Sequence, residues 1–105
     1  MTLPVNRTDK TLWTQRAMAF VTRSHRHLWG KNNEDPLAFL FTCGLNHACI
    51  KTYLLGWNKF GQHRPARNWG DRCLDHDKKL FLPPGIVIPV IVEKQLKGIF
   101  IHSYQ

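Results

Sequence analysis

Acidic residues are scarce: seven Asp and Glu stand against fifteen Lys and Arg in 105 residues, a formal charge of +8 with an isoelectric point near 9.9. Such an excess attracts polyanions at long range, nucleic acid first and an anionic membrane surface after it. A generic basic surface, or a piece of a more acidic parent, would account for the same charge. No apolar run approaches the ~20 residues needed to span a bilayer, and the opening MTLPVNRTDK lacks the apolar core of a secretory signal, so a soluble cytoplasmic protein without membrane partners is expected. Cysteine is limited to Cys43, Cys49 and Cys73, an odd number without framework spacing; this argues against a disulfide scaffold and for reduced thiols. A phosphate-cradling glycine loop with its lysine is missing, as is a GxSxG nucleophile turn. No catalytic residues are assigned.

Metal ligation is also weakly supported. Cys73-x2-His76 and His47-x-Cys49 could each offer two ligands, but structural zinc sites pair such knuckles on tight turns, and the gap from Cys43 to Cys49 is wrong for one. Asp71, Asp75 and Asp77 sit among Arg72, Lys78 and Lys79, where salt bridging is the simpler role. No metal site is assigned.

What is present fits one small domain: 43% hydrophobic and 11% aromatic residues suffice for a single core. Trp13, Ala17, Phe20, Val21, Ser24 and Leu28 recur at three- and four-residue steps, predicting an amphipathic helix over about 10–29, capped by Thr8 or Asp9 and ended near Gly30. Arg16, Arg23, Arg26 and His27 line one flank of that stripe, either a phosphate-facing edge or a solvated face. Asp35-Pro36 opens a second helix with a capping carboxylate and a proline at the first helical position, and Gly44 ends it. Asn46 then caps a short third helix with Ala48, Cys49, Ile50 and Tyr53 expected to face inward.

Residues 59–79, KFGQHRPARNWGDRCLDHDKK, show neither a helical nor a strand period and read as a long basic loop. Lys59, Arg64, Arg67, Arg72, Lys78 and Lys79 surround Trp69 there, the chemistry of strand binding, in which charge tracks phosphate and rings stack on bases. A flexible segment kept open by its charge is the alternative. Beyond it, Leu80–Leu82, the turn Pro83-Pro84-Gly85, the β-branched run Ile86–Val92 and Leu96–His102 predict a short strand and a hairpin. Pro89 cannot donate to a ladder and belongs on an edge-facing register or a bulge. The absence of polar alternation over 86–92 predicts that both faces are covered. The fold class is therefore α+β: three N-terminal helices (the helical part about 9–54), a basic loop (about 58–79) and a small antiparallel sheet (about 80–102).

The succession LWTQRAMAFVTRSHRHLWG, PLAFLFTCGLNHACIKTYLLGWN, RNWGD, LFLPPGIVIPVIV and LKGIF resembles the part of bacterial-type, phage and plasmid DNA primases that precedes the Toprim nucleotidyl-transfer domain. It covers about Leu12 to Ile101. Phe39, Leu40, Cys43, Gly44 and Leu45 match a helix-to-helix motif in which Cys43 stands where arginine is usual, so a template contact does not carry over there. Leu55, Gly56 and Trp57 match a hydrophobic-glycine-aromatic element, which implies that YLLGWN is the exit from the third helix onto the β platform, with Gly56 letting the backbone turn and Trp57 sealing the core or offering a stacking face. Trp69, Gly70, Leu82, Pro83, Gly85, Ile88 and Pro89 match the phage-type branch, with prolines where cellular enzymes have an arginine-rich run. The resemblance implies a non-catalytic, template-positioning piece of a longer primase, its partners being single-stranded DNA template, primer–template duplex, and the parent's Toprim and helicase domains. It implies Mg or Mn in Toprim and Zn in a separate module of the parent, with no cofactor in this piece. The candidate contacts are Arg16, Arg23, Arg26, Lys51, Lys59, Arg64, Arg67, Trp69, Arg72, Lys78 and Lys79. Two other readings stay open: an interaction module docking through apolar surface around Ile99 and Ile101, and a helix-turn-helix protein reading bases with Asn46, His47 and Lys51. For the latter, the Gly44-to-Ile50 spacing fits, but Leu40 stands where a small residue is expected.

Overall fold

The apolar stripe of the first segment folds as expected: α1 runs Lys10–Leu28 and buries Ala17, Phe20, Val21, Ser24 and Leu28. These positions come from a computed structural model, which describes residues 10–30, 34–70 and 78–103. The proposed N-terminal caps Thr8 and Asp9, and Arg72, Cys73, His76 and the three loop aspartates, lie outside the described residues. Helix α2 spans Glu34–Thr42, so Asp35 and Pro36 fall within its first turn. Helix α3, His47–Thr52, is capped by Asn46, whose side chain accepts from the Cys49 amide at 2.9 Å. Of the α3 residues expected inside, Ile50 is fully buried and Cys49 half-buried; Ala48 and Tyr53 are exposed.

Both short helices end alike. After α2, Gly44 takes φ 90 and the Leu45 amide donates back to the Leu40 carbonyl at 3.1 Å. After α3, the Leu55 amide donates to the Ile50 carbonyl at 3.1 Å, and the left-handed residue between is Leu54, at φ 54. These are helix-ending motifs in which the last hydrophobic residue folds back onto the helix; Leu55 and Ile50 share a core cluster. Leu54, rather than Gly56, therefore makes the turn out of YLLGWN.

Gly56 has another duty. It begins β1 (Gly56–Asn58), and a Cβ there would stand 2.6 Å from the Ser24 carbonyl carbon and 2.7 Å from the His25 amide nitrogen. Only a glycine lets the strand backbone lie directly on α1. His25 secures the same junction: its Nδ1–H donates to the Leu55 carbonyl at 2.7 Å while its Nε2 accepts from the Trp29 indole at 3.4 Å.

The run 59–79 is not one loop. Gln62–Pro65 forms β2, Ala66–Trp69 a turn of 3-10 helix, and Lys79–Leu82 forms β3, paired antiparallel to β2 with His63 opposite Phe81. β3 contains the short strand expected at Leu80–Leu82, whereas β2, made of Gln, His, Arg and Pro, carries no apolar alternation, which is why periodicity missed it. β4 (Gly85–Val92) and β5 (Gln95–His102) form the expected hairpin, and β1 adds to the other side of β4 in the order β1-β4-β5.

Adjacent residues of β4 point to opposite faces. Val87 joins Ala17, Phe20, Val21, Trp69, Leu82 and Leu96, whereas Ile86 joins Leu28, Leu40, Ile50, Leu55 and Trp57. The sheet is thus packed against α1 on one face and against α2, α3 and the end of α1 on the other. Covering stops partway along β4: Val90, Ile91 and Val92 are exposed, contrary to the expectation that the whole run is enclosed. β1 reaches only to Val87, so Pro89 lies where β5 alone flanks the strand, and the ladder slips by one residue between Val90 and Ile91. This is the edge-like setting a missing donor requires.

Candidate nucleic-acid interface

The close approach of α1 to β1 creates a groove. Arg23, Ser24 and His27 of α1 form one wall; Trp57 and Asn58 of β1, then Lys59, Phe60 and Gln62, form the other, enclosing about 190 Å3. Gly56 sets the spacing, because any side chain there would lift the helix and widen the gap.

A chain of hydrogen bonds fixes the β wall. Asn58, buried, donates through Nδ2 to the Leu82 and Pro83 carbonyls at 3.2 and 2.7 Å. Its Oδ1 accepts from Gln62 Nε2 at 2.8 Å, and Gln62 Oε1 in turn accepts from Arg64 Nη2 at 2.7 Å. Arg64 also donates to the His63 carbonyl at 3.1 Å, so its guanidinium is held at the surface rather than sweeping through solvent. Two cations rest near rings: Arg23 lies 5.8 Å from the Phe20 centroid and Lys59 Nζ 5.4 Å from that of Phe60. Phe60 is 70% exposed, an uneconomical place for a phenyl ring unless something covers it.

The structure sorts the sequence-derived candidates. Arg23, Lys59 and Arg64 come together in or beside the groove. Arg16 and Arg26 are exposed on α1, Arg67 on the 3-10 turn, and Lys78 and Lys79 at the start of β3. Lys51 is elsewhere, its ammonium 5.6 Å from the Trp29 ring. Trp69 does not offer a stacking face: it is 8% exposed and meets Phe20 edge-on at 6.2 Å. Its neighbours in sequence are polar, but its packing partners come from α1 and the sheet. Trp57 is buried as well and seals the second cluster.

Two of the exposed rings, Phe60 and Phe81, are ones the sequence reading passed over. The available signal was Phe60 directly after Lys59, and Phe81 between Leu80 and Leu82, where strand alternation turns the middle residue away from the core. The side chains proposed to read bases are engaged within the fold. Asn46 caps α3 and the His47 ring lies 5.4 Å from Trp29 and 5.1 Å from Phe41. Among the described residues no cluster of three or more His, Cys, Asp or Glu converges, and no helix is long and apolar enough to cross a membrane.

No protein-family model, curated protein or solved structure matches the chain.

Proposed function

We propose that the chain holds single-stranded nucleic acid along the α1–β1 groove. One observation carries this reading: Arg23 and Lys59, from separate elements, flank a single groove that also presents the exposed ring of Phe60. Cations that track phosphate beside rings that accept any base are the minimum equipment for sequence-tolerant strand binding. The amides of Asn58 and Gln62 are tied to each other, to backbone carbonyls and to Arg64. They serve the wall more than base-edge recognition, so weak sequence preference is expected.

The resemblance to primases supplies the setting: a cytoplasmic, template-positioning element beside a Toprim centre that uses Mg or Mn, in a parent with a separate Zn module and a helicase partner. The chain's own contribution is to bind and orient template strand or primer–template duplex. The test is the pair Arg23→Ala with Lys59→Ala. Affinity for a single-stranded oligonucleotide at ~50 mM salt should fall about tenfold, and the dependence of log affinity on log salt should flatten by about 1.4, roughly 0.7 per lost phosphate contact. Unchanged affinity and slope would remove the groove from the mechanism.

Exposed Val90, Ile91, Val92 and Phe100 favour a second reading, in which the far end of the hairpin docks on another domain of the parent. Ile99 and Ile101, named for that role from sequence, are half-buried against the α1 cluster instead. Absence of oligonucleotide binding at low salt would favour this reading.

A further inference from the structure

The geometry points to a second station for the strand, on the outer face of the β2–β3 ribbon, where Phe81 stacks an unpaired nucleobase. This inference rests on the groove reading above and extends it to a different surface. Cross-strand pairing of His63 with Phe81 places both side chains on one face of the ribbon, opposite the face that sends Leu82 into the core. Both are exposed, Phe81 by 49%.

Phe81 is held in place despite that exposure. The His63 ring lies 4.7 Å from it at an interplanar angle of 32°. Its Cε1–Cζ edge lies over Gly61, where a Cβ would come within 3.0 and 3.1 Å of those two atoms, and that same Cβ position is 3.4 Å from Pro84 Cδ. Gly61 thus provides the space the ring occupies. A ring fixed before binding loses little rotamer freedom when a base arrives, which is what a stacking platform requires.

Charge and connectivity complete the case. Lys79, two residues before Phe81 in β3, shares its face of the ribbon, and Gly61 joins the platform directly to Phe60 of the groove. A strand leaving the groove past Phe60 therefore meets a second ring with a cation on the same face. The ligand class is a single-stranded oligonucleotide, recognised by the π-face of a base rather than by its edge.

The experiment uses the full chain, an oligothymidylate of about 12 nucleotides, within the range of known single-strand sites, and an abasic strand of equal length. Phe81→Leu keeps an apolar residue at a half-exposed position, and its unfolding curve should match that of the unsubstituted chain. It should weaken oligothymidylate binding about tenfold, leave the abasic strand's affinity unchanged and preserve the salt slope. Phe81→Trp should restore oligothymidylate binding. Equal weakening toward both strands would show that the ring only shapes the ribbon and would overturn the inference. Undiminished binding by Phe81→Leu would overturn it too, leaving the ring as a protein contact. If Arg23→Ala with Lys59→Ala still weakens binding in that case, the groove reading survives alone; if neither set of changes matters, both readings fall.

Discussion

Ile86 and Val87, at the start of β4, are 1% and 0% exposed, whereas Val90 and Val92 of the same strand stand 44% and 49% exposed. The residue types are interchangeable and the backbone is continuous. What changes is the cover. α1 and β1 converge on the first part of the strand, and α2 and α3 close its other face, but these helices are short and β1 ends opposite Val87. β-branched composition sets the extended conformation, and helix reach sets burial. The covered end also builds the groove, since the approach of α1 that buries Val87 brings Arg23 opposite Lys59.

The most severe way to break this contrast is to remove the cover. In Gly56→Val the new side chain meets the backbone of Ser24 and His25, which cannot yield as a flexible side chain could. Overpacking of this kind should cost about 3 kcal/mol or more. For a domain of this size that lowers the melting temperature by roughly 12–24 °C, and the groove should open with it. A melting temperature within a few degrees of the original would show that α1 does not depend on this contact.

A milder change attacks the wall of the groove and leaves the helix seated. Asn58→Ala strands the Leu82 and Pro83 carbonyls and releases Gln62, and through it Arg64. Loss of buried partners should cost about 1–3 kcal/mol, read by urea unfolding. Oligonucleotide affinity should fall severalfold, with the salt slope kept because no cation is lost. A stability unchanged within error would mean that solvent replaces the amide and the wall is not buried in solution.

Much of the covered end was legible in sequence. The α1 stripe, the left-handed Gly44, the Asn46 cap and the β4–β5 hairpin all follow from local rules of spacing and backbone freedom, and the structure has each of them. What was not legible depends on partners far along the chain. Trp69 reads as a loop ring because its neighbours are polar, and becomes core only when Phe20 arrives from α1. Gly56 reads as a turn residue because glycine usually marks turns, but the turn falls on Leu54 and the glycine admits a helix. Of the groove, the cations were visible in the composition of the chain. Its ring was placed at Trp69, which the core takes, whereas the ring the groove exposes is Phe60, whose polar and glycine neighbours carry no periodic signal.

One substitution made twice sharpens the comparison most finely. Val87→Thr and Val90→Thr change the same atoms in the same strand, replace one β-branched residue by another, and leave strand propensity nearly unaltered. At Val87 the new hydroxyl enters the cluster of Phe20, Trp69 and Leu96, where burying it without a hydrogen-bond partner costs about 1–3 kcal/mol. At Val90 the hydroxyl faces water, and the cost should stay within about 0.5 kcal/mol. The difference between the two midpoints of urea unfolding, with equal slopes, measures the cover alone. Equal costs at both sites would mean that the far end of the hairpin is enclosed in solution by something that binds it, and the exposed apolar strip would then be an occupied interface.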